Sequence, residues 1–259
     1  ASQIFLAQEN GFKKSPEYGA AMDSLQEFVD ASIYTVDGQP QLVLAAAGNT
    51  VTPSASVFKN KIYPLNKIHE TGRLTAAAEL QGSLANTHVV RGHDELLFVG
   101  NFSAPQDFGA SVPSYIFRGL EKIETFDDLG MITDALWLDF NQDALIDLVV
   151  IGHWMKPRLF VQTPEGFQEN IQAFPDLNGL WQSLEPHDID QDGDLDLLVG
   201  NWGLNTKLQA STNHPMKLWY NDFDKNGASE TILTTYHQGD DYPLLGLDDL
   251  AAQMVVLRK

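Results

Sequence analysis

The sequence predicts an all-β chain, a β-propeller of four-stranded antiparallel blades in about five repeat units. Three observations carry that expectation. Short apolar strands ending in a small-residue turn recur about every 50 residues, the interval of a four-stranded blade. A second strand-rich element follows each of them. Acidic loops of one pattern precede the later copies.

The recurring strands are QLVLAAAGN from Gln41, ELLFVGNF from Glu95, DLVVIGHW from Asp147 and DLLVGNW from Asp196, with a weaker ETILTTY from Glu230. Val, Leu, Ile and Phe dominate, and Gly, Asn, Asp or Pro bound the segments, which is strand chemistry. The following elements are SVFKNKIY (56–63), SYIFRGLEKI (114–123), RLFVQTPEGFQ (158–168) and KLWYNDFDKNG (217–227). The opening IFLAQENGF has the look of one more outer hairpin without its inner strands. The single propeller region, 1–259, therefore divides near 24–66, 84–125, 130–170, 179–220 and 221–259, with 1–13 a partial outer hairpin. Helical candidates are limited to SLQEFVDA (24–31) and LDDLAAQMVVL (247–257).

The first acidic loop in the order of clarity is DIDQDGDLD. Asp188, Asp190 and Asp192 occupy positions 1, 3 and 5, Gly193 position 6 and Asp196 position 9, and the Asp194 carbonyl adds a main-chain oxygen at position 7. Alternate residues of a tight loop turn oxygens toward one centre, and glycine permits the reversal. Hard oxygen donors in that number suit Ca²⁺, whereas zinc favours His or Cys. An EF-hand would need Glu at position 12 and flanking helices; here position 12 is Val199 and the flanks are strands. The pattern returns with Asp222, Asp224, Asn226, Gly227, the Ala228 carbonyl and Glu230. It returns again with Asp139, Asn141, Asp143, the Leu145 carbonyl and Asp147, where Ala144 replaces the glycine. The first two units lack the loop.

The loop-plus-strand unit resembles the FG-GAP or VCBS repeat. Residues 130–154 (GMITDALWLDFNQDALIDLVVIGHW), 179–205 and 215–254 are similar to the cartilage-acidic-protein-like branch, common in Bacteroidetes envelope proteins. The resemblance covers 129–254. It implies a Ca²⁺-stabilised propeller, usually of seven blades, with no catalytic role for the repeats. Five units against seven make a fragment of a longer protein the expectation. At the chain ends, an open arc is expected over closure of a five-bladed ring by pairing residues 3–7 with the segment after Glu230.

Lys and Arg number 16 against 35 Asp and Glu, a formal charge of −19. That field repels nucleic acid, and no basic stripe offsets it. No cysteine is present, which excludes disulfides and thiolate metal sites. No apolar run is long enough for a membrane span, and a missing signal segment is no argument against export from a trimmed chain. The seven histidines show no HExxH spacing, and no nucleophile elbow or phosphate loop appears. Phe102, Trp154 and Trp202 follow the same strand end in three units, where they either pack between blades, the expected role, or present rings to a ligand. These readings converge on a non-enzymatic calcium-binding propeller of a secreted or surface protein, with an unknown protein or glycan ligand. The alternatives are a polysaccharide lyase or hydrolase on the same scaffold, or a structural spacer.

Overall fold

The structure is a computed structural model, and it describes residues 5–14, 27–47, 60–65, 78–80, 85–105, 107–203 and 210–258. Among the described residues it is an all-β arrangement of several antiparallel sheets, with a short helix near residue 250.

The first hairpin is β1 (Phe5–Gln8) with β2 (Gly11–Lys14). The first unit is β3 (Glu27–Val36), β4 (Gln39–Ala47), β5 (Lys61–Pro64) and β6 (Ala78–Glu79). The second is β7 (Asn86–His93), β8 (Leu96–Ser103), β9 (Ser114–Arg118) and β10 (Glu121–Phe126). The third is β11 (Met131–Leu138), β12 (Asp147–Met155), β13 (Arg158–Thr163) and β14 (Gly166–Glu169). Each of these three is a four-stranded antiparallel meander. The fourth unit has β15 (Gly179–His187) and β16 (Asp196–Asn201), joined to the third through β12. A three-stranded sheet of β17 (Lys217–Asn221), β18 (Glu230–His237) and β19 (Asp240–Pro243) follows, then α1 (Leu247–Gln253) and a 3-10 turn.

Two local expectations change. Residues 27–31 of the helical candidate 24–31 lie in β3, because alternating contacts on a sheet outweigh a short stretch of helical pattern. Lys217–Asn221, expected as the outer element of the fourth unit, is the strand before the 222 loop and pairs with β18. Its apolar composition fits either place; only the pairing separates them. At the chain ends, β1 pairs with β2 and β18 with β17 and β19, so among the described residues no bond joins the N-terminal strand to the segment after Glu230.

The sheets of the first four units pack face to face in sequence order, with a core between each neighbouring pair. Tyr34, Val43 and Ile62 of the first unit meet Val90, Leu97, Val99 and Phe117 of the second. Val89, Leu96, Phe98 and Ile116 meet Ile132, Leu148, Val150 and Phe160 of the third. Leu138, Val149, Ile151 and Leu159 meet Leu184, with Trp181, Leu197 and Val199 packed against them. Successive residues of β8 and β12 thus face opposite neighbours, which is why LLFVG and LVVIG are apolar without alternation. The fourth unit is bare on its far face. Leu198 is 64% exposed, while Val149 at the same place in the third unit is 1% exposed.

The first strands β3, β7, β11 and β15 run against one another. Each carries a bulge at the same place, skipping residues 29, 88, 133 and 182. The bulge aims the next side chain across to the following unit. Asp30 Oδ2 accepts the Val90 N–H at 3.0 Å, and Asp134 Oδ2 accepts that of Leu184 at 2.9 Å. Between them lies Arg91, bonded to both carboxylates and to the Ala135 carbonyl. The strands approach closely at Gly92, where an added Cβ would lie 2.3 Å from the Ile33 carbonyl oxygen. Gly92→Ala must therefore separate two backbones, and a loss of about 2 kcal/mol is expected by urea unfolding. An unchanged midpoint would show that β3 and β7 are not held at this spacing.

Candidate metal centre

Each acidic loop joins the first and second strands of a unit. The 139 loop links β11 to β12, the 188 loop β15 to β16, and the 222 loop β17 to β18. The first two units have tight turns at Asp37–Gly38 and Asp94–Glu95 instead, both with Asp in the left-handed region.

The three loops share one backbone shape. Position 4 has a positive φ in each (Gln142 59°, Gln191 63°, Lys225 60°), and so does position 6 (Ala144 67°, Gly193 97°, Gly227 91°). The position-1 carboxylate folds the loop by accepting the position-6 N–H: Asp139 from Ala144 at 2.9 Å, Asp188 from Gly193 at 3.1 Å, Asp222 from Gly227 at 2.9 Å. The position-9 carboxylate closes it by accepting the position-2 N–H: Asp147 from Phe140, Asp196 from Ile189, Glu230 from Phe223. The turn is retained at Ala144, with alanine in a conformation that favours glycine. Ala144→Gly should raise stability by about 0.5–1 kcal/mol. A fall in the thermal midpoint would mean that Ala144 is unstrained.

Two groups of three carboxylates converge. Asp188, Asp190 and Asp196 offer oxygens all within 4.8 Å of one another, and so do Asp222, Asp224 and Glu230. The remaining ligand positions, Asp192 and Asn226, turn their oxygens onto the N–H groups of Asp194 (3.0 Å) and Ala228 (2.7 Å). Asp139, Asp143 and Asp147 form no third group of this kind. There Asp147 is fully buried and also accepts the Gln162 N–H of β13 at 2.8 Å. Its pKa is raised by that burial, against the pull of the Gln162 and Phe140 amides and with the help of the Asp143 and Asp139 charges. Asn141 bonds to Asp143, and Gln142 Nε2 reaches Asp194 Oδ1 of the neighbouring loop at 2.8 Å.

One atom separates the 188 loop from the others. Asp188 Oδ1 is buried without a hydrogen-bond partner. A buried carboxylate oxygen left unpaired is costly unless a cation lies against it. Both oxygens of Asp139 and of Asp222 accept loop amides. The donor set around Asp188 is all oxygen and strongly negative, which fits a hard divalent cation.

The opposite strand ends gather rings. Phe102 lies 5.4 Å from the His88 ring, 5.1 Å from His153 and 6.2 Å from Phe108, and His153 lies 5.8 Å from Trp202. His153 Nε2 also contacts Gln182 Nε2. Burial lowers the pKa of both imidazoles; Asp30 and Asp134 oppose the shift at His88, and His88 adds to it at His153. Phe102 and Trp202 thus take part in packing between units, as expected, but Trp202 keeps 47% of its surface exposed. Trp154 is left-handed, with φ of 62°, a rare conformation for a bulky side chain.

Sequence reasoning missed the Asp30–Arg91–Asp134 bridge. Its trace was present in the matching VDA (29–31) and TDA (133–135) of two first strands. No helix among the described residues is long and apolar enough to cross a membrane. A model of the FG-GAP-like repeat matches residues 139–199, from the 139 loop into β16. No curated protein matches the chain significantly.

Proposed function

We propose that this chain is a calcium-binding β-propeller region of an exported or cell-surface protein, serving adhesion or ligand recognition without catalysing a reaction. The unpaired Asp188 Oδ1 inside a cluster of three carboxylates is the observation that carries the calcium reading. The matched FG-GAP-like repeat and the face-to-face packing of successive sheets support the propeller reading. Asp188, Asp190 and Asp196 would hold one ion, with the Asp194 carbonyl and Asp192 as further oxygens. Asp222, Asp224 and Glu230 would hold a second, with Asn226 and the Ala228 carbonyl. Bound Ca²⁺ would screen mutual repulsion among these acids and fix the hairpin they close.

Recognition is assigned to the ring-bearing strand ends. Trp202 and Phe108, exposed by 47% and 44%, offer flat apolar surface beside the partly buried rings of His153 and Phe102. A protein or glycan array probed with and without Ca²⁺ tests this, and binding that Trp202→Ala leaves unchanged would overturn it.

Asp190→Ala should harm calcium binding more than Asp194→Ala. The first removes a carboxylate of the converging group; the second removes one that is turned to Gln142. Calorimetric titration is expected to show at least tenfold weaker binding for the first variant only. Equal losses would mean that the loop ligands are wrongly assigned.

A further inference from the structure

The β1–β2 hairpin and the outer edge of β16 each match one half of a contact that the third unit makes within itself. β1–β2 repeats β13–β14 residue for residue in its pairing. Gln8↔Gly11, Ala7↔Phe12, Leu6↔Lys13 and Phe5↔Lys14 match Thr163↔Gly166, Gln162↔Phe167, Val161↔Gln168 and Phe160↔Glu169, around a two-residue turn in each case. The sequences agree as well: FLAQENGF (5–12) against FVQTPEGF (160–167). In the third unit this hairpin seats on β12, with Phe160 opposite Leu148, and Phe167 packs 5.8 Å from the Trp137 ring. In β1–β2 the matching Phe12 is 77% exposed, and among the described residues the hairpin pairs with nothing else.

β16 is the complementary case. It is the counterpart of β12, each following an acidic loop, yet among the described residues it pairs with β15 alone. The polar contact that anchors the hairpin in the third unit is also half made. Asp147 gives one oxygen to Phe140 and the other to the Gln162 N–H of β13. Asp196 gives Oδ2 to Ile189 in the same way, while no hydrogen bond to its Oδ1 is seen among the described residues. By the shared register, the amide that would meet it is that of Ala7. Gln8↔Gly11 flanks the turn and forms the hydrogen-bonded pair, so the Ala7 N–H points away from β2.

We propose that the β1–β2 hairpin of one copy seats on the β16 edge of a second copy, with Phe5 opposite Leu197 and the Ala7 N–H donated to Asp196. The occupant is a second copy because one molecule holds both halves and leaves them unpaired with each other. Reciprocal exchange of hairpins gives a closed dimer with two such contacts.

The chain has no cysteine, so single introduced thiols report without background. Ala7→Cys and Leu195→Cys chains, purified separately and mixed in calcium at moderate salt, are treated with a short bismaleimide and run on a denaturing gel. A covalent heterodimer well above the yield from either chain alone is expected. Sedimentation of the unlabelled chain is expected to show a dimer, and Ala7→Pro to weaken it at least tenfold. Proline removes the outward amide but none of the β1–β2 bonds. A monomer at all concentrations, no heterodimer, or an unchanged dimer in Ala7→Pro would each overturn the proposal. A doubly substituted chain that cross-links only within itself would overturn it too.

Discussion

Chelation of divalent cations is expected to lower the melting temperature by on the order of 10 °C, with recovery in Ca²⁺ and much weaker recovery in Mg²⁺. Two carboxylate triads converge in the 188 and 222 hairpins. Holding three charges that close without a counter-ion opposes folding of both. A ligand at about 100 times its dissociation constant contributes about 2.7 kcal/mol per site, so two sites contribute roughly 5 kcal/mol. For a chain of this size each kcal/mol moves the midpoint by about 2–4 °C. Mg²⁺ recovers less because it demands a small octahedral shell and keeps its waters. Calorimetry should count two ions per chain. The 139 loop, whose acids form no converging triad, should add no third of comparable affinity. A melting curve indifferent to chelator would end the calcium reading, and three equal sites would show that the 139 loop rearranges.

Asp134→Ala is expected to cost about 3 kcal/mol, measured as a fall in the urea midpoint with calcium present. Asp134 is 13% exposed at its side chain. It accepts from Arg91 Nη2 at 2.6 Å, from its neighbour Ala135 and from Leu184 of the next unit at 2.9 Å. Its removal strands a backbone N–H between two sheets and leaves Arg91 with Asp30 alone. Breaking one partner of a buried pair costs about 3–5 kcal/mol, and the partial exposure of Arg91 places this case at the lower end. Asp134→Asn keeps an acceptor for Leu184 and should lose roughly half as much. Equal losses in the two variants would mean that charge alone matters at this position. No loss in either would remove the bridge from the account of how three units are held.

The sequence by itself determined the strands and the loops, for physical reasons that are local. The second strands from Gln41, Glu95, Asp147, Asp196 and Glu230 all fall within observed strands or at their edges, because an apolar run closed by Gly or Asn has few other folds. The spacing of acids at alternate positions, with a residue tolerant of positive φ at position 6, is enough to set the loop shape, and that shape holds even at Ala144. What only the tertiary structure decided was partnership. Lys217–Asn221 reads equally well as an outer strand or an inner one until its pairing with β18 is seen. Three loops with matching acids separate into two converging triads and one whose position-9 carboxylate is fully buried and accepts an amide of its own outer hairpin. Arg91 is 61 residues from Asp30 and 43 from Asp134 in sequence, and the three meet only because bulges turn neighbouring first strands toward one another. Spacing along a chain fixes which groups lie on one loop or one strand face; which of them find partners depends on the sheet that packs alongside.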